Sequence, residues 1–215
     1  MKLTYEQLKR ISDSVGERAG WDFTRVRDGR DPVPWHYPDV VRRFLTETDE
    51  VLDVGTGGGE KFLTLAPYFR RGMGIDVDPA MIEQARRNQA AQRVTNVAWA
   101  VMDGYRLSFP DARFDVVLNR HSNVDVPETV RVLCPDGYFV TQQVARRNTL
   151  NLLQAFGWTP ESFGEGWWQP VAALVDEFER LGCQVVAQAE YDVRYWFCDV
   201  ESLVFWLKAV PLPEP

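Results

Sequence analysis

Apolar and polar positions change rhythm several times along these 215 residues. Short apolar runs without alternation recur at Val51 to Val54, Gly72 to Ile75, Val97 to Met102, Phe114 to Leu118 and Tyr138 to Val144. Such runs read as strands, the first of them buried on both faces. Between them the spacing turns helical, as in Phe62, Leu63, Leu65, Ala66 and Phe69. The next helix starts at Asp78-Pro79, a cap followed by a proline in the first turn, and turns Met81, Ile82 and Ala85 inward. Asp125-Val126-Pro127 opens another in the same way. This alternation predicts an α/β fold with a parallel, doubly wound sheet. Pro67 falls inside the first of these helices, where it predicts a kink or an early stop.

The two ends of the chain are less regular. Tyr5 to Arg18 and Pro38 to Leu45 have helical spacing, and the loop Arg25 to Pro34 between them is dense in Gly, Pro, Asp and Arg. Residues 1–45 precede the first core strand, so they are expected as a helical cap over the strand ends, with residues 46–215 as the main domain. Beyond the fifth strand, Val171 to Leu181 predicts a helix ended by Gly182, Cys183 to Phe197 contains a sixth strand, and Glu201 to Ala209 predicts a helix before Pro211 and Pro213. Little chain then remains. A missing or truncated last strand is expected, unless Arg194 to Phe205 supplies a return strand. That would leave a sheet edge to be covered.

The first strand carries the chemistry. Val51 to Glu60 reads VLDVGTGGGE, a strand running through glycines into a helix, which turns backbone N–H groups toward a ligand. Asp76 stands 21 residues after Gly55, at the end of the second strand. That is the spacing at which a carboxylate grips ribose hydroxyls. A dinucleotide fingerprint, G-x-G-x-x-G from Gly55, would need glycine at position 60, where Glu60 stands. The pattern is G-x-G-x-G instead. Asp53 and Glu60 near the loop would repel a pyrophosphate and suit a ligand with an ammonium and a sulfonium. A nicotinamide-dependent oxidoreductase fails on these points.

These residues make the chain resemble the class I S-adenosylmethionine-dependent methyltransferases. The resemblance runs on through GIDVDPAMIEQAR, the Met102-Asp103-Gly104 strand end, RFDVVLNRHS and RVLCPDGYFVTQQV, roughly Val51 to Val144. It implies a Rossmann-like sheet of that type, with S-adenosyl-L-methionine as cofactor and methyl transfer as the activity. Asp53, Gly55, Gly57 and Gly59 would hold the methionine part. Asp76 would take the ribose, Val77 would lie under the adenine, and Asp103 would accept from its amino group between Met102 and Gly104. Asn119 is assigned to the cofactor. Arg120 and His121 follow it where the transferred methyl should point, and they are the candidate catalytic residues. The motif by which methyltransferases act on the amino groups of adenine or glutamine, Asn/Asp-Pro-Pro-Tyr/Phe, is not present here. The chain is also similar to a bacterial methyltransferase-like group of unsettled substrate. Shared segments are Trp21 to Phe23, Gly55 to Glu60, Asn119 to His121 and Thr141 to Val144. The family's usual Pro-Gly-Gly turn is Pro135-Asp136-Gly137 in this chain.

Composition narrows the partners. With 24 basic and 31 acidic residues the net charge is −7. No basic run stands out, so the footprint that non-specific nucleic-acid binding requires is missing. Three widely spaced cysteines, Cys134, Cys183 and Cys198, suggest a reducing compartment and neither a disulfide framework nor a metal site. No apolar run reaches the roughly 18 residues of a membrane span, and the amphipathic N-terminus has no signal core. A cytoplasmic protein with a small-molecule acceptor is expected, its oligomeric state open. Candidate acceptor contacts are Trp21, Trp35, His36 and Tyr37, with Trp158, Trp167 and Trp168 as further parts of a lid. Gln142-Gln143 either meets the substrate or caps a loop. The rival expectation is a sensor or partner subunit that binds S-adenosylmethionine or S-adenosylhomocysteine without turning it over, because both need the same pocket.

Overall fold

The computed structural model describes residues 3–16, 20–145, 147–159 and 170–210. Its seven strands are β1 (Asp28–Arg30), β2 (Glu50–Val54), β3 (Arg71–Asp76), β4 (Val97–Val101), β5 (Phe114–Arg120), β6 (Leu133–Gln142) and β7 (Tyr195–Phe197). The helices are α1 (Tyr5–Ser14), α2 (Tyr37–Val41), α3 (Phe62–Leu65), α4 (Pro79–Gln92), α5 (Val126–Val132), α6 (Leu150–Ala155), α7 (Val171–Arg180) and α8 (Val200–Ala209). The chain divides into two units. One is Trp35–Val144 with Gln169–Ala189; the other is Met1–Pro34, Ala145–Trp168 and Glu190–Pro215.

In the first unit β2 to β6 form one parallel sheet, in spatial order β4-β3-β2-β5-β6. β2 lies at its centre, which is why Val51, Leu52 and Val54 are all buried. On one face Val51, Val116, Leu118 and Val140 pack with Tyr37, Val41, Phe62, Leu65 and Phe69. On the other, Leu52, Val54, Ile75, Phe114 and Val117 pack with Leu107 and Val132. α7 adds Leu174 and Phe178 beside Val126, and Phe178 stacks on Phe139 at 4.9 Å. The strand order reverses between β2 and β5. In open α/β sheets the crevice outside the C-terminal strand ends at such a reversal is where ligands bind.

Local chemistry explains several boundaries. Pro67 stops α3 after Leu65, and the chain continues as a 3₁₀ turn over Ala66–Tyr68. Asp78 caps α4 by accepting from Ala80 N–H at 2.8 Å, with Pro79 at the first position. Asp125 does the same for α5 through Glu128 N–H. β6 starts earlier than Tyr138, because Leu133 already pairs with Phe114. The Cys134 to Gly137 turn then bulges out before Tyr138 pairs with Val116.

The second unit departs from the sequence reading. The sixth strand expected within Cys183 to Phe197 shrinks to β7, which does not join the sheet. It pairs antiparallel with β1, Gly29 opposite Trp196, so the return strand expected as an alternative over Arg194 to Phe205 is not formed. The described central sheet therefore has five strands. Arg194 grips Asp31 at 2.9 Å beside this pairing, and the apolar run that follows forms α8, as its spacing predicts. Arg27 N–H donates to Ser202 Oγ at 2.9 Å, and Lys208 reaches the Ser12 carbonyl of α1 at 3.0 Å. α1 ends at Ser14, short of Arg18, and opens on a capping box between Thr4 and Gln7. Among the described residues no helix is long and apolar enough to cross a membrane.

Candidate cofactor site

The chain leaves β2 through Gly55, Gly57 and Gly59, with φ of +71°, +57° and +71°. That left-handed backbone favours glycine. The N–H groups of Gly55 and Thr56 both donate to the Ile75 carbonyl at 2.9 Å, which seats the loop on the end of β3. The Thr56 hydroxyl donates to Asp53 Oδ2 at 2.6 Å. Gly57 N–H donates to Asp76 Oδ2 at 2.8 Å, and Asp78 N–H to Asp76 Oδ1 at 3.0 Å. The two acidic residues singled out in the sequence thus stand on neighbouring strands, Asp53 under the loop and Asp76 at its side.

Asp53 is 8% exposed. Burial pushes its carboxyl up to about 7, against the pull of the Thr56 hydroxyl and the Arg120 charge and with a further push from Asp76. A cationic group brought beside it would favour the ionised form.

The strand ends continue outward to β4. Val77 is 69% exposed, an apolar side chain open at the end of β3. Met102 N–H donates to the Asp76 carbonyl at 3.0 Å, so Met102-Asp103-Gly104 follows directly alongside. Asp103 is exposed, and its carboxylate accepts from Tyr105 N–H at 3.0 Å.

On the other side of β2, Asn119 pairs with Val54. Its amide is buried and engaged at both ends, donating to the Asn123 carbonyl at 2.9 Å and accepting from Gln143 Nε2 at 2.8 Å. Arg120 Nε donates to Gln142 Oε1 at 3.2 Å, and its guanidinium lies 5.8 Å from the centre of the Tyr37 ring. His121 has φ of +59°, and its N–H donates to the Gln142 carbonyl. Desolvation first and the Arg120 cation second hold its imidazole at about 4, so the ring is neutral at pH 7 even though part of its surface is exposed.

The structure therefore gathers Asp53, Gly55 to Gly59, Asp76, Val77, Met102 to Gly104 and Asn119 to His121 on contiguous strand ends. Tyr37 belongs with them as a buried residue: its hydroxyl donates to the Val140 carbonyl at 3.2 Å, and burial pushes its phenol well above the ordinary range. His36 is exposed at the start of α2, without a side-chain bond to that helix end. Trp35 is half-buried in the same unit. Trp21 and Trp158 fall in the other unit, where Trp21 lies 6.2 Å from Phe23. Trp167 and Trp168 lie outside the described residues. The sequence gives Thr56 and Ser122 no role of their own within their motifs, and it does not single out Asn88 or Trp99. Ser122 abuts Gly55, where a Cβ would come within 2.4 Å of its side chain. A signal for Trp99 did exist: two glycines, Gly59 and Gly74, near one aromatic on the adjoining strand.

Comparison with known proteins agrees with this geometry. Residues 51–137 match the family described as "Methyltransferase domain". Demethylmenaquinone methyltransferase of Tropheryma whipplei (strain Twist) is 36% identical over 103 residues, 45% of this chain and 42% of the relative. Aklanonic acid methyltransferase DauC of Streptomyces sp. (strain C5) is 34% identical over 125 residues, 57% of this chain and 53% of the relative. This chain thus spans about half the length of the curated relatives it matches. The crystal structure of the YcgJ protein from Bacillus subtilis aligns with TM-score 0.50 and 27% identity, over 57% of this chain and 56% of that one. Over residues 51–137 the chain is thus similar to methyltransferase domains, in sequence and in fold.

Proposed function

We propose that the chain is a methyltransferase that takes its methyl group from S-adenosyl-L-methionine and delivers it to a small-molecule acceptor. The observation that carries this is the join of the G-x-G-x-G loop to two carboxylates, Thr56 on Asp53 and Gly57 on Asp76, with Asp103 just beyond the end of β4. The residues fit the cofactor. Asp53 and the loop would face its cationic amino-acid half, Asp76 its ribose, and Val77 with Met102, Asp103 and Gly104 its adenine, with Asn119 supporting the opposite wall. When bound, the cofactor supplies an electrophilic methyl on a sulfonium. Arg120, His121 and Tyr37 are proposed on the acceptor side. Trp21, Trp35 and His36 are proposed acceptor contacts for the chemistry of their rings, within a cap of residues 1–45 that precedes the methyltransferase domain of residues 46–215. The two relatives' names, for demethylmenaquinone and aklanonic acid, support a small acceptor. The odd number and wide spacing of the three cysteines support a cytoplasmic setting.

Calorimetric titration with S-adenosylhomocysteine and with NAD tests the cofactor. Binding of the first and not the second is expected; the reverse would overturn the reading. Asp103→Asn is expected to weaken S-adenosylhomocysteine by only about threefold, because an amide keeps a carbonyl for the adenine amino group and loses charge assistance alone. A loss larger than that of an Asp76 variant would mean that the adenine lies elsewhere.

Asp53 gives the binding a pH dependence with a definite sign. The cofactor's ammonium favours the ionised carboxylate, and in the free protein this group titrates near 7. Affinity is therefore expected to rise with pH, falling about tenfold from its plateau at pH 6, with a proton released on binding. Asp53→Asn should flatten the profile between pH 6 and 8, as read by titration in buffers of different ionisation enthalpy. For the free fold the sign is opposite. A carboxyl raised from 3.8 to about 7 contributes stability in full below pH 3.8 and loses it as pH rises through 7.

One observation favours a second reading, a binder of S-adenosylmethionine or S-adenosylhomocysteine without transferase activity. His121 sits at about 4, too low for an efficient base at neutral pH. Turnover of S-adenosylmethionine with phenolic, quinol or carboxylic acceptors separates the two readings; tight binding with no product from any acceptor would favour the second.

A further inference from the structure

Gly74 and Trp99 stand directly opposite each other across β3 and β4. The indole lies over the glycine, where a Cβ would come within 2.4 Å of Trp99 Cζ3. The ring also reaches beyond β3 to the loop that follows β2, where a Cβ on Gly59 would come within 2.5 Å of Cη2. The ring cannot easily swing away. Its Nε1–H donates to Gln89 Oε1 at 2.6 Å, Gln89 Nε2 donates to the Val97 carbonyl at 2.7 Å, and Phe62 meets it edge-on at 6.1 Å. From the next position on α4, Asn88 Nδ2 donates to the Gly58 carbonyl at 2.8 Å. The end of the loop is thus held by an aromatic ring on one side and by an amide on its carbonyl, while Gly57 N–H turns to Asp76.

We propose that Trp99 and Asn88 are positioning residues that hold Gly57 to Gly59 in the conformation that receives the amino-acid half of S-adenosylmethionine. They act through the loop and not by contact with the cofactor. This rests on the cofactor reading given above. A run of three glycines has more backbone freedom to lose than any other sequence of its length. If the loop were ordered only on binding, that loss would subtract from affinity; a loop already held against Trp99 avoids it. The small size of Gly59 and Gly74 follows from the same arrangement, since the ring occupies the space where their side chains would be.

The test uses the full chain and two ligands that share an adenosine but differ in the half the loop faces. S-adenosylhomocysteine has the amino-acid portion; 5′-methylthioadenosine lacks it. Calorimetry should show Trp99→Leu weakening S-adenosylhomocysteine by about tenfold and Asn88→Ala by about threefold, the scale of one lost packing or hydrogen-bonding contact, with 5′-methylthioadenosine changed less than about twofold. Asn88→Ala removes two half-buried hydrogen bonds, one donated to the Gly58 carbonyl and one accepted from Gln84 Nε2 on its own helix, and keeps the test open if Trp99→Leu does not fold. Equal losses for both ligands would mean that the substitutions merely loosen the fold, and no loss for either would mean that the loop needs no support; each result overturns the proposal. A wild-type chain that binds neither ligand would instead overturn the cofactor reading beneath it.

Discussion

Replacing Asp76 by alanine is expected to weaken S-adenosylhomocysteine binding by between about tenfold and a hundredfold, the 1.5–3 kcal/mol typical of hydrogen bonds to a charged group. The expectation has two parts. The first is direct: the variant loses an acceptor proposed for the ribose hydroxyls. The second comes from the structure, in which Asp76 Oδ2 also accepts from Gly57 N–H and Oδ1 from Asp78 N–H. Alanine releases the middle of the glycine loop as well as the ribose. Asp78→Ala is the control, because Asp78 caps α4 through Ala80 N–H without holding the loop. It should cost about 1 kcal/mol of stability and leave affinity within about twofold. Titration calorimetry on both variants decides the matter. Unchanged affinity in Asp76→Ala would remove Asp76 from the site.

What was legible in the sequence was what short-range rules determine. The apolar run at Val51 to Val54, the glycines after it and the carboxylate 21 residues beyond Gly55 gave the site its strands and loop. Pro67 and the Asp78-Pro79 pair act on their own helix turns, so the short α3 and the start of α4 could be read without knowing the fold. The misses are long-range. β7 pairs with Asp28-Gly29-Arg30, a tripeptide with no apolar signal and a separation of more than 160 residues. No periodicity within Cys183 to Phe197 reveals that pairing. Val185 and Val186, within that stretch, are both exposed and belong to no strand. Other details are also invisible to the sequence: the Tyr37 hydroxyl bonds the Val140 carbonyl while its ring lies near Arg120, and the Asn119 amide is held at both ends by Asn123 and Gln143.

The glycine loop supplies the second large effect, this time on stability. Gly59→Ala is expected to destabilise the fold by about 2–5 kcal/mol, from two separable causes. At φ of +71° an alanine leaves its favoured region, at a cost of roughly 1–2 kcal/mol. Its Cβ would also stand 2.5 Å from Trp99 Cη2 and 3.1 Å from Cζ3, both on a ring held by Gln89 and flanked by Phe62. Forcing a methyl into such a contact costs about 1–3 kcal/mol. The two causes part company in a double-mutant cycle with Trp99→Leu. The smaller, more flexible leucine removes the clash and leaves the backbone cost, so Gly59→Ala should cost only about 1–2 kcal/mol in that background. Thermal or urea unfolding of the four proteins gives the coupling directly. If Gly59→Ala costs the same with Trp99 and with Leu at that position, the ring is not what confines the loop. Gly59 would then be required for its backbone conformation alone.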